Sequence, residues 1–330
     1  MQSPPDPAWL VKLPANPLPA LSTEKGTPLY YNVQRDLLGK PASPQQELWE
    51  HPTLIKLLRK QTAEGDWRYP GAKQKDSHVF NYNLLETYRN LRLLVEIYGL
   101  DHRHPALSLA AEYIFTCQTP GGDIRGILGT QYMPYYHAAI LELLIKAGYA
   151  QDSRLLRGMD WLLSMRQHDG GWIVPLQAVP PSQKTGQIWC ADPVPPDYHK
   201  PFSHLATGMV LRAFAAHPAY SKTDAAKQAA ILLKGRFFQA DKYNDRKGPP
   251  YWIKFQFPFW WNNLLSALDS VTRLGFTLQD DQVHEGVNWF LTHQEADGLW
   301  PTGYGSGKNA AENRLWVGLA VCRVLQRLLP

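Results

Sequence analysis

Residues 167–172 read QHDGGW, and similar runs stand at 61–67 (QTAEGDW) and 294–300 (QEADGLW). A weaker copy, QTPGGDI at 118–124, has isoleucine where the others have tryptophan, and a fifth copy after Gln239 is barely recognisable. Each run follows a segment whose apolar residues have helical spacing. Because glycine permits the backbone conformations of tight turns, these runs predict turns that end one helix and lead into another. The second helices are predicted at 79–98, 132–147, 202–215, 259–274 and 310–328.

The two helices of each predicted hairpin differ in polarity. The first is amphipathic and needs one covered face, whereas the second is apolar nearly all round and must be buried. Five such hairpins of about 50 residues each predict two concentric rings of helices. We expect the rings to form a single domain over 45–330. Residues 1–44 form an N-terminal extension with a short helix within 28–39, stopped by Gly39.

Composition excludes several classes of protein. Hydrophobic residues are 44% of the 330 residues, enough for a large core. The net charge of +5 comes without a run of Lys or Arg, so nucleic acid is not an expected partner. The three cysteines form no CxxC pair, and MQSPPDPAWL has no secretory pattern, so a cytoplasmic location is predicted. No apolar run approaches the roughly 20 residues of a transmembrane helix, although peripheral membrane contact stays open.

The repeated turn, Q-x(2–3)-G-x-W, resembles the QW motif of squalene–hopene and oxidosqualene cyclases. Over residues 45–328 the chain resembles the α/α-toroid superfamily of terpenoid cyclases and protein prenyltransferase β-subunits. The resemblance implies an all-α fold, an α/α toroid of five to six helical hairpins with buried inner and amphipathic outer helices. It also implies an apolar, isoprenoid ligand that is bound in an aromatic central cavity and is cyclised or transferred there.

The sequence departs from both families at their reactive motifs. It has no DxDD acid motif; the nearest run, QDDQ at 279–282, begins a predicted outer helix, where Asp280 and Asp281 suit the helix dipole. Cys190-Ala191-Asp192 reverses the order of the prenyltransferase zinc pair. We therefore predict no metal and no cofactor.

The N-terminal turns of the inner helices, which are rich in aromatic residues, are expected to open at one end of the ring as a cavity mouth. The irregular, proline-rich segment 173–201 is a predicted lid over this mouth. We add its tryptophan and those of the turns to the aromatic residues that line the mouth. A second candidate flap is 241–258. The predicted substrate-binding residues here are His78, Tyr82, Tyr132, Tyr135, Tyr136, His137, Trp172, Trp189, Trp260, Trp261 and Trp300.

Three charged residues, Arg125, Arg212 and Asp269, complete the predicted substrate-binding set. Arg212 and Asp269 are expected to pair across neighbouring inner helices, with Arg212 as the alternative anchor for an anionic group of the ligand. Asp123, beside Arg125 in the turn that lacks tryptophan, and His204 are the catalytic candidates.

Two other classes of function stay open. A carbohydrate-active toroid would use two inner-helix carboxylates, drawn from Glu86, Glu142 and Asp269. A non-catalytic binding module would have a centre filled by its own side chains.

Overall fold

Helices form the secondary structure in the part of the chain that the computed structural model describes: residues 7–22, 24–40, 46–71, 79–179, 186–243 and 248–329. No strand occurs among them, so the predicted all-α class is confirmed. The helices are α1 (Leu18–Leu21), α2 (Pro28–Asp36), α3 (Gln46–Trp49), α4 (Pro52–Leu58), α5 (Tyr82–Glu96), α6 (Pro105–Thr116), α7 (Pro134–Leu144), α8 (Ser153–Ser164), α9 (Pro175–Ala178), α10 (His204–Ala216), α11 (Asp224–Lys234), α12 (Leu264–Arg273), α13 (Asp281–Thr292) and α14 (Lys308–Leu328).

Five inner helices form the predicted ring. Helices α5, α7, α10, α12 and α14 pack in that order, each against the next. The outer helices α6, α8, α11 and α13 pack against α5, α7, α10 and α12. Almost every residue of α7 is buried, whereas α8 buries only one stripe, with Leu155, Met159 and Leu162 at its centre. The toroid of buried inner and amphipathic outer helices is therefore confirmed.

The turn glutamines at positions 61, 118 and 294 each join their own turn to the element beside it. Gln61 Nε2 donates to the carbonyl of Gly65 in its own turn, 2.9 Å away, and to that of Ala106 in the first turn of α6, 2.8 Å away. The same pair of hydrogen bonds links Gln118 to the carbonyls of Gly122 and Arg154, and Gln294 to those of Gly298 and Ala15. Gln167 donates instead to Asp197 and Lys200 of the long loop.

The turn tryptophans fasten each turn to its own outer helix. The indole N–H of Trp67 donates to the carbonyl of Leu57, ten residues earlier and near the end of α4. Trp172 and Trp300 make the same bond at the same spacing, to Leu162 and Phe290. All three rings are buried. Burial of a large ring together with a satisfied N–H makes these residues anchors of the hairpins.

Close backbone contacts explain the turn glycines. Gly65 has a φ of +93°, and a Cβ added there would lie 2.2 Å from the carbonyl oxygen of Leu109 on α6. Gly298 has a φ of +82°, and its added Cβ would lie 2.5 Å from the carbonyl oxygen of Asn16. The last turn thus approaches the N-terminal segment as the first turn approaches an outer helix.

The N-terminal segment closes the ring. Helices α1 and α2 pack against α14, and the Asn32 side chain of α2 donates to the carbonyl of Ile97, which follows α5. Helix α2 therefore bridges the first and last inner helices, and it ends before Gly39, as predicted. The domain boundary at residue 44 stays a prediction.

One predicted element differs in extent. The fourth inner helix begins at Leu264, not at 259, because Asn263 and Ser266 form a reciprocal capping box at its N-terminus. Residues 254–263 before it are largely irregular. At the start of α13, Asp280 caps the helix and Asp281 lies in its first turn, which confirms the helix-terminal interpretation of QDDQ.

None of the helices in the described ranges is both long and apolar enough to cross a membrane.

Because each of these turn glutamines makes a pair of hydrogen bonds, we predict that its replacement lowers the stability of the fold measurably. Gln61→Ala removes the donor from two carbonyls, so we expect the free energy of unfolding in urea to fall by about 2 kcal/mol. Gln239→Ala is the matched control, because that amide donates to a single carbonyl, Gly235, in an exposed position. An equal loss in the two variants would contradict the linking role of Gln61.

Candidate functional site

The centre of the ring is filled by the protein's own residues 255–261, FQFPFWW, which we call the central segment. Arg92 of α5 donates to the carbonyls of Pro258 and Phe259, the latter at 2.9 Å. Arg212 of α10 donates to the carbonyl of Trp260 at 3.3 Å. Phe257 stacks on Trp316 of α14, with ring centroids 6.2 Å apart. A segment held by helices on different sides of the ring lies in its middle.

Four of the predicted aromatic residues do come together at the central segment. The ring of Tyr135 lies 4.6 Å from that of Tyr136 and 5.8 Å from that of Trp261. Trp260 lies 6.3 Å from both Tyr136 and Trp261, and Tyr88 completes the cluster 5.1 Å from Trp260. The sequence therefore predicted the aromatic cluster, although not that a loop would form half of it. Ligand binding by these rings stays a prediction.

A cavity of about 850 Å³ opens between α5 and α14, beside the central segment; we call it the seam cavity. Its lining is mostly apolar, with Leu57, Leu93, Phe257 and Trp316 among the walls. Leu93 is 38% exposed although it lies on an inner helix. The full lining is Thr53, Lys56, Leu57, Lys60, Arg92, Leu93, Ile97, Tyr98, Gln256, Phe257, Pro258, Tyr304, Gly305, Ser306, Asn309, Ala310, Glu312, Asn313 and Trp316.

None of the described site residues predicted from the sequence lines the seam cavity. A signal for part of it was present in the sequence. Tyr82, Glu86, Arg89 and Arg92 form a polar stripe at helical spacing. Leu93 adjoins that stripe, and Trp316 stands on the last inner helix. What the sequence did not show is that α5 and α14 leave a gap between them.

The buried charges of the inner ring form a chain, and the predicted pair of Arg212 with Asp269 is wrong. Arg212 Nε donates to Glu142 of α7 at 2.7 Å, and Lys146 Nζ donates to both Glu142, at 2.7 Å, and Glu96, at 2.5 Å. Burial raises the pKa of Glu142, but Arg212 and Lys146 outweigh it, so this carboxyl group is ionised. Arg212 pairs with Glu142 because α10 packs most extensively on α7.

Asp269 belongs to a second charged region, a groove of about 720 Å³ at the C-terminal ends of the inner helices. Its side chain pairs with Arg273 and Arg327, both at 3.0 Å, and lies behind the groove. Arg323 pairs there with Asp36 of α2. Cations at these positions compensate the negative ends of the helix dipoles, so the groove is a structural network.

Asp123 is buried in its turn and fully bonded. Its carboxylate accepts from Arg125 Nε at 2.8 Å, from Arg125 Nη2 at 3.0 Å and from the Thr119 hydroxyl at 2.5 Å. The Arg125 guanidinium also lies 5.7 Å from the centre of the Tyr132 ring. These contacts resemble those of Asp66 in the first turn, which accepts from a threonine and an asparagine. Catalysis by Asp123 stays a prediction, at a distance from the seam cavity.

Three predicted substrate-binding residues are buried and hold the fold together, and substrate binding by them stays a prediction. Trp172 and Trp300 are buried anchors, as described above. His137 is also buried, and its Nδ1 accepts from the backbone N–H of Ile124 while its Nε2 donates to the carbonyl of Gly158, both at 3.0 Å. Thr87 and Thr207 accept the corresponding turn N–H in other repeats. His137, Thr87 and Thr207 thus each hold a turn against an inner helix.

His204 lies apart from the central segment's aromatic cluster. Its ring packs on Trp252, 4.7 Å away, and its Nε2 lies 3.5 Å from Asp241. Its Nδ1 is buried and has no hydrogen-bond partner within the described ranges. Burial lowers the pKa of His204 to about 4, although Asp241 opposes this. A catalytic role for this neutral histidine stays a prediction.

The remaining predicted residues lie around the N-terminal ends of α5 and α7. Tyr82 packs against Tyr69 and Phe80, and Phe80 in turn contacts Trp189. The Tyr132 hydroxyl donates to the carbonyl of Val194 at 2.7 Å, so the loop after residue 186 lies over this edge. A lid function of that loop stays a prediction. His78 lies outside the described residues.

No protein-family profile matches the chain, and no curated protein is significantly similar to it. Several solved structures are similar. An unliganded, substituted form of the type II terpene cyclase MstE from Scytonema has 14% identity and a TM-score of 0.48, over 90% of this chain and 85% of that chain. Another form in complex with geranylgeranyl dihydroxybenzoate has 13% identity and a TM-score of 0.47, over 90% and 86%. A protein from Actinoplanes has 14% identity and a TM-score of 0.39, over 83% and 96%. Likeness at this level gives no evidence on ligand or activity.

Two of the buried histidines, His137 and His204, predict an acid-sensitive stability. Burial lowers the pKa of His137 and of His204 to about 4, from 6.5. The unfolded chain therefore binds protons at a higher pH than the folded chain, and stability contributed by each neutral histidine is lost as pH falls from 6.5 towards 4. We expect a loss of about 3 kcal/mol per histidine in urea unfolding across that window.

His204→Phe retains the aromatic contact with Trp252 but cannot be protonated. Its free energy of unfolding should therefore decline less steeply between pH 6.5 and 4 than that of the unsubstituted protein. Parallel curves for the two proteins would show that His204 is not held neutral by the fold.

Proposed function

We propose that the protein binds an elongated apolar ligand of the isoprenoid class, and that the ligand occupies the seam cavity. The observation that carries this proposal is the cavity itself, about 850 Å³ with mostly apolar walls. Its volume falls in the range of small-molecule sites in proteins. The proposal moves the predicted ligand site from the centre of the ring, which the central segment fills, to the gap between α5 and α14.

The walls of the cavity support a hydrocarbon ligand with double bonds. Trp316, Phe257 and Tyr98 supply aromatic faces, and Leu57 and Leu93 supply aliphatic contacts. Unsaturated, branched chains bury much surface against such mixed walls. The Gln-Gly-Trp turns, which resemble those of isoprenoid-handling toroids, agree with this ligand class.

The charges favour binding over proton-initiated cyclisation. Glu312 is the one carboxylate among the described residues of the seam cavity, and it is exposed. An acid that protonates a double bond must be held in its neutral form, which exposure to water does not provide. The filled centre agrees with the alternative of a non-catalytic binding protein.

The carbohydrate alternative has less support. It needs two carboxylates available to the substrate. Glu86 is paired with Arg89, Glu142 with Arg212 and Lys146, and Asp269 with two arginines.

A polar substitution in the cavity wall tests the site. Leu93→Gln places an amide among apolar walls, so we expect the Kd for farnesol and geranylgeraniol to rise about tenfold or more. Ile231→Gln is the matched control, because Ile231 is also an exposed aliphatic residue but lies on the outer helix α11. Binding is measured by equilibrium dialysis.

The same assay tests the ligand class. Hexadecanol and an oligosaccharide are included beside the two isoprenoid alcohols. Equal Kd values for the Leu93 and Ile231 variants would place the ligand elsewhere. Equal binding of hexadecanol would refute selectivity for isoprenoids, and binding of the oligosaccharide alone would refute the proposal.

A further inference from the structure

Arg92 is a buried cation without a carboxylate partner. Its side chain lines the seam cavity, and only 7% of the residue is exposed. Its hydrogen bonds go to the neutral carbonyls of Pro258 and Phe259. No carboxylate of the described residues lies within ion-pair distance of it, whereas the buried Arg212 is paired with Glu142.

A cation in this position is costly to bury. Removal of a charge from water is compensated by an opposite charge at close range, and carbonyl dipoles compensate it only in part. Burial accordingly lowers the pKa of Arg92. The Trp260 ring, 4.7 Å from the guanidinium, compensates the charge further, and an anion in the seam cavity, which Arg92 lines, would complete the compensation.

A second polar group near Arg92 is also incomplete. Tyr88 stands one turn earlier on α5, on the same helix face, and is buried. Its hydroxyl has no hydrogen-bond partner among the residues described, and the guanidinium groups of Arg92 and Arg212 are the charges that act on it most strongly. Tyr88 itself does not line the seam cavity, so of these two groups only Arg92 can meet a ligand there.

We propose that the ligand of the seam cavity carries an anionic group, a carboxylate or a phosphate, which binds Arg92 in the cavity wall. This inference rests on the proposed function and specifies its ligand as an anionic amphiphile. The planar guanidinium presents paired donors that match both kinds of oxyanion. The apolar chain then lies along Leu93, Phe257 and Trp316.

Other cations near the cavity are weaker candidates. Lys56 and Lys60 line its rim but are exposed, so water and salt screen them. Lys146, Arg273, Arg323 and Arg327 of the charged groove already have carboxylate partners. Arg92 alone combines burial, a place in the cavity wall and the lack of an ion pair among these residues.

Ligands with the same chain and different head groups test the inference. Farnesol, farnesoic acid and farnesyl diphosphate are compared by equilibrium dialysis. We expect at least one of the two anions to bind about 10 to 100 times more tightly than farnesol, the range expected of a charged hydrogen bond. Which anion is preferred distinguishes a carboxylate from a phosphate site.

Variants then locate the anion. Arg92→Met should bring the Kd of the preferred anion to within about threefold of the Kd of farnesol measured on the same variant. The double substitution Lys56→Met and Lys60→Met removes two rim cations and should preserve the preference. Arg92→Lys keeps the positive charge but loses the paired donors of the guanidinium, so it should reduce the preference for the anion several-fold. It serves where Arg92→Met, which releases the central segment, does not fold.

The outcomes separate this inference from the proposed function. If farnesol binds as tightly as both anions, the anionic group is refuted while the seam cavity stands. If the preference is lost in the rim variant and unchanged in Arg92→Met or Arg92→Lys, the anion binds at the surface and the inference is overturned. If none of the three ligands binds, the proposed function itself fails.

Discussion

The side-chain amide of a turn glutamine, shared between two neighbouring elements, is the interaction on which the ring depends. An inner helix that is apolar all round cannot exist without neighbours on both sides. Gln61 and Gln118 each hold their own turn and the start of the next outer helix, and so set the distance between consecutive hairpins. The backbone contact at Gly65 fixes the same distance, since a side chain there would collide with α6. Gln294 donates the corresponding hydrogen bond to the carbonyl of Ala15, so the N-terminal segment takes the place of the next hairpin.

The closure by a short segment leaves the seam between α5 and α14 incompletely filled. Helix α2 spans it at the C-terminal ends of the inner helices, where Asp36 and Asn32 meet Arg323. The cavity opens beside it, lined by α4, by the C-terminal end of α5 and by the N-terminal half of α14. At the same time the central segment occupies the middle of the ring. Space for a ligand therefore lies at the seam, and the proposed function follows from where the ring is closed.

Charge compensation differs between the two sides of the ring interior. On one side, Arg212, Glu142, Lys146 and Glu96 alternate in sign and neutralise one another. On the other side, Arg92 holds the central segment through carbonyl oxygens and faces the seam cavity. A buried network that is complete acts as structure, whereas an uncompensated charge beside a cavity is the arrangement that a ligand of opposite sign would complete.

The sequence by itself determined the helical class, the repeat, the burial of the inner helices and the tendency of aromatic residues to meet at the ring's interior. These follow from local spacing, turn glycines and apolar periodicity, which act within one hairpin. It also identified the polar face of α5, one turn short of Arg92. Only the tertiary structure decided that Arg212 pairs with Glu142, that His137, Trp172 and Trp300 are anchors, and that residues 255–261 fill the centre. Such pairings join residues on different hairpins, and they depend on which helix faces meet around the ring. That choice, like the gap between the first and last inner helices, is a property of the closed ring and of no single segment.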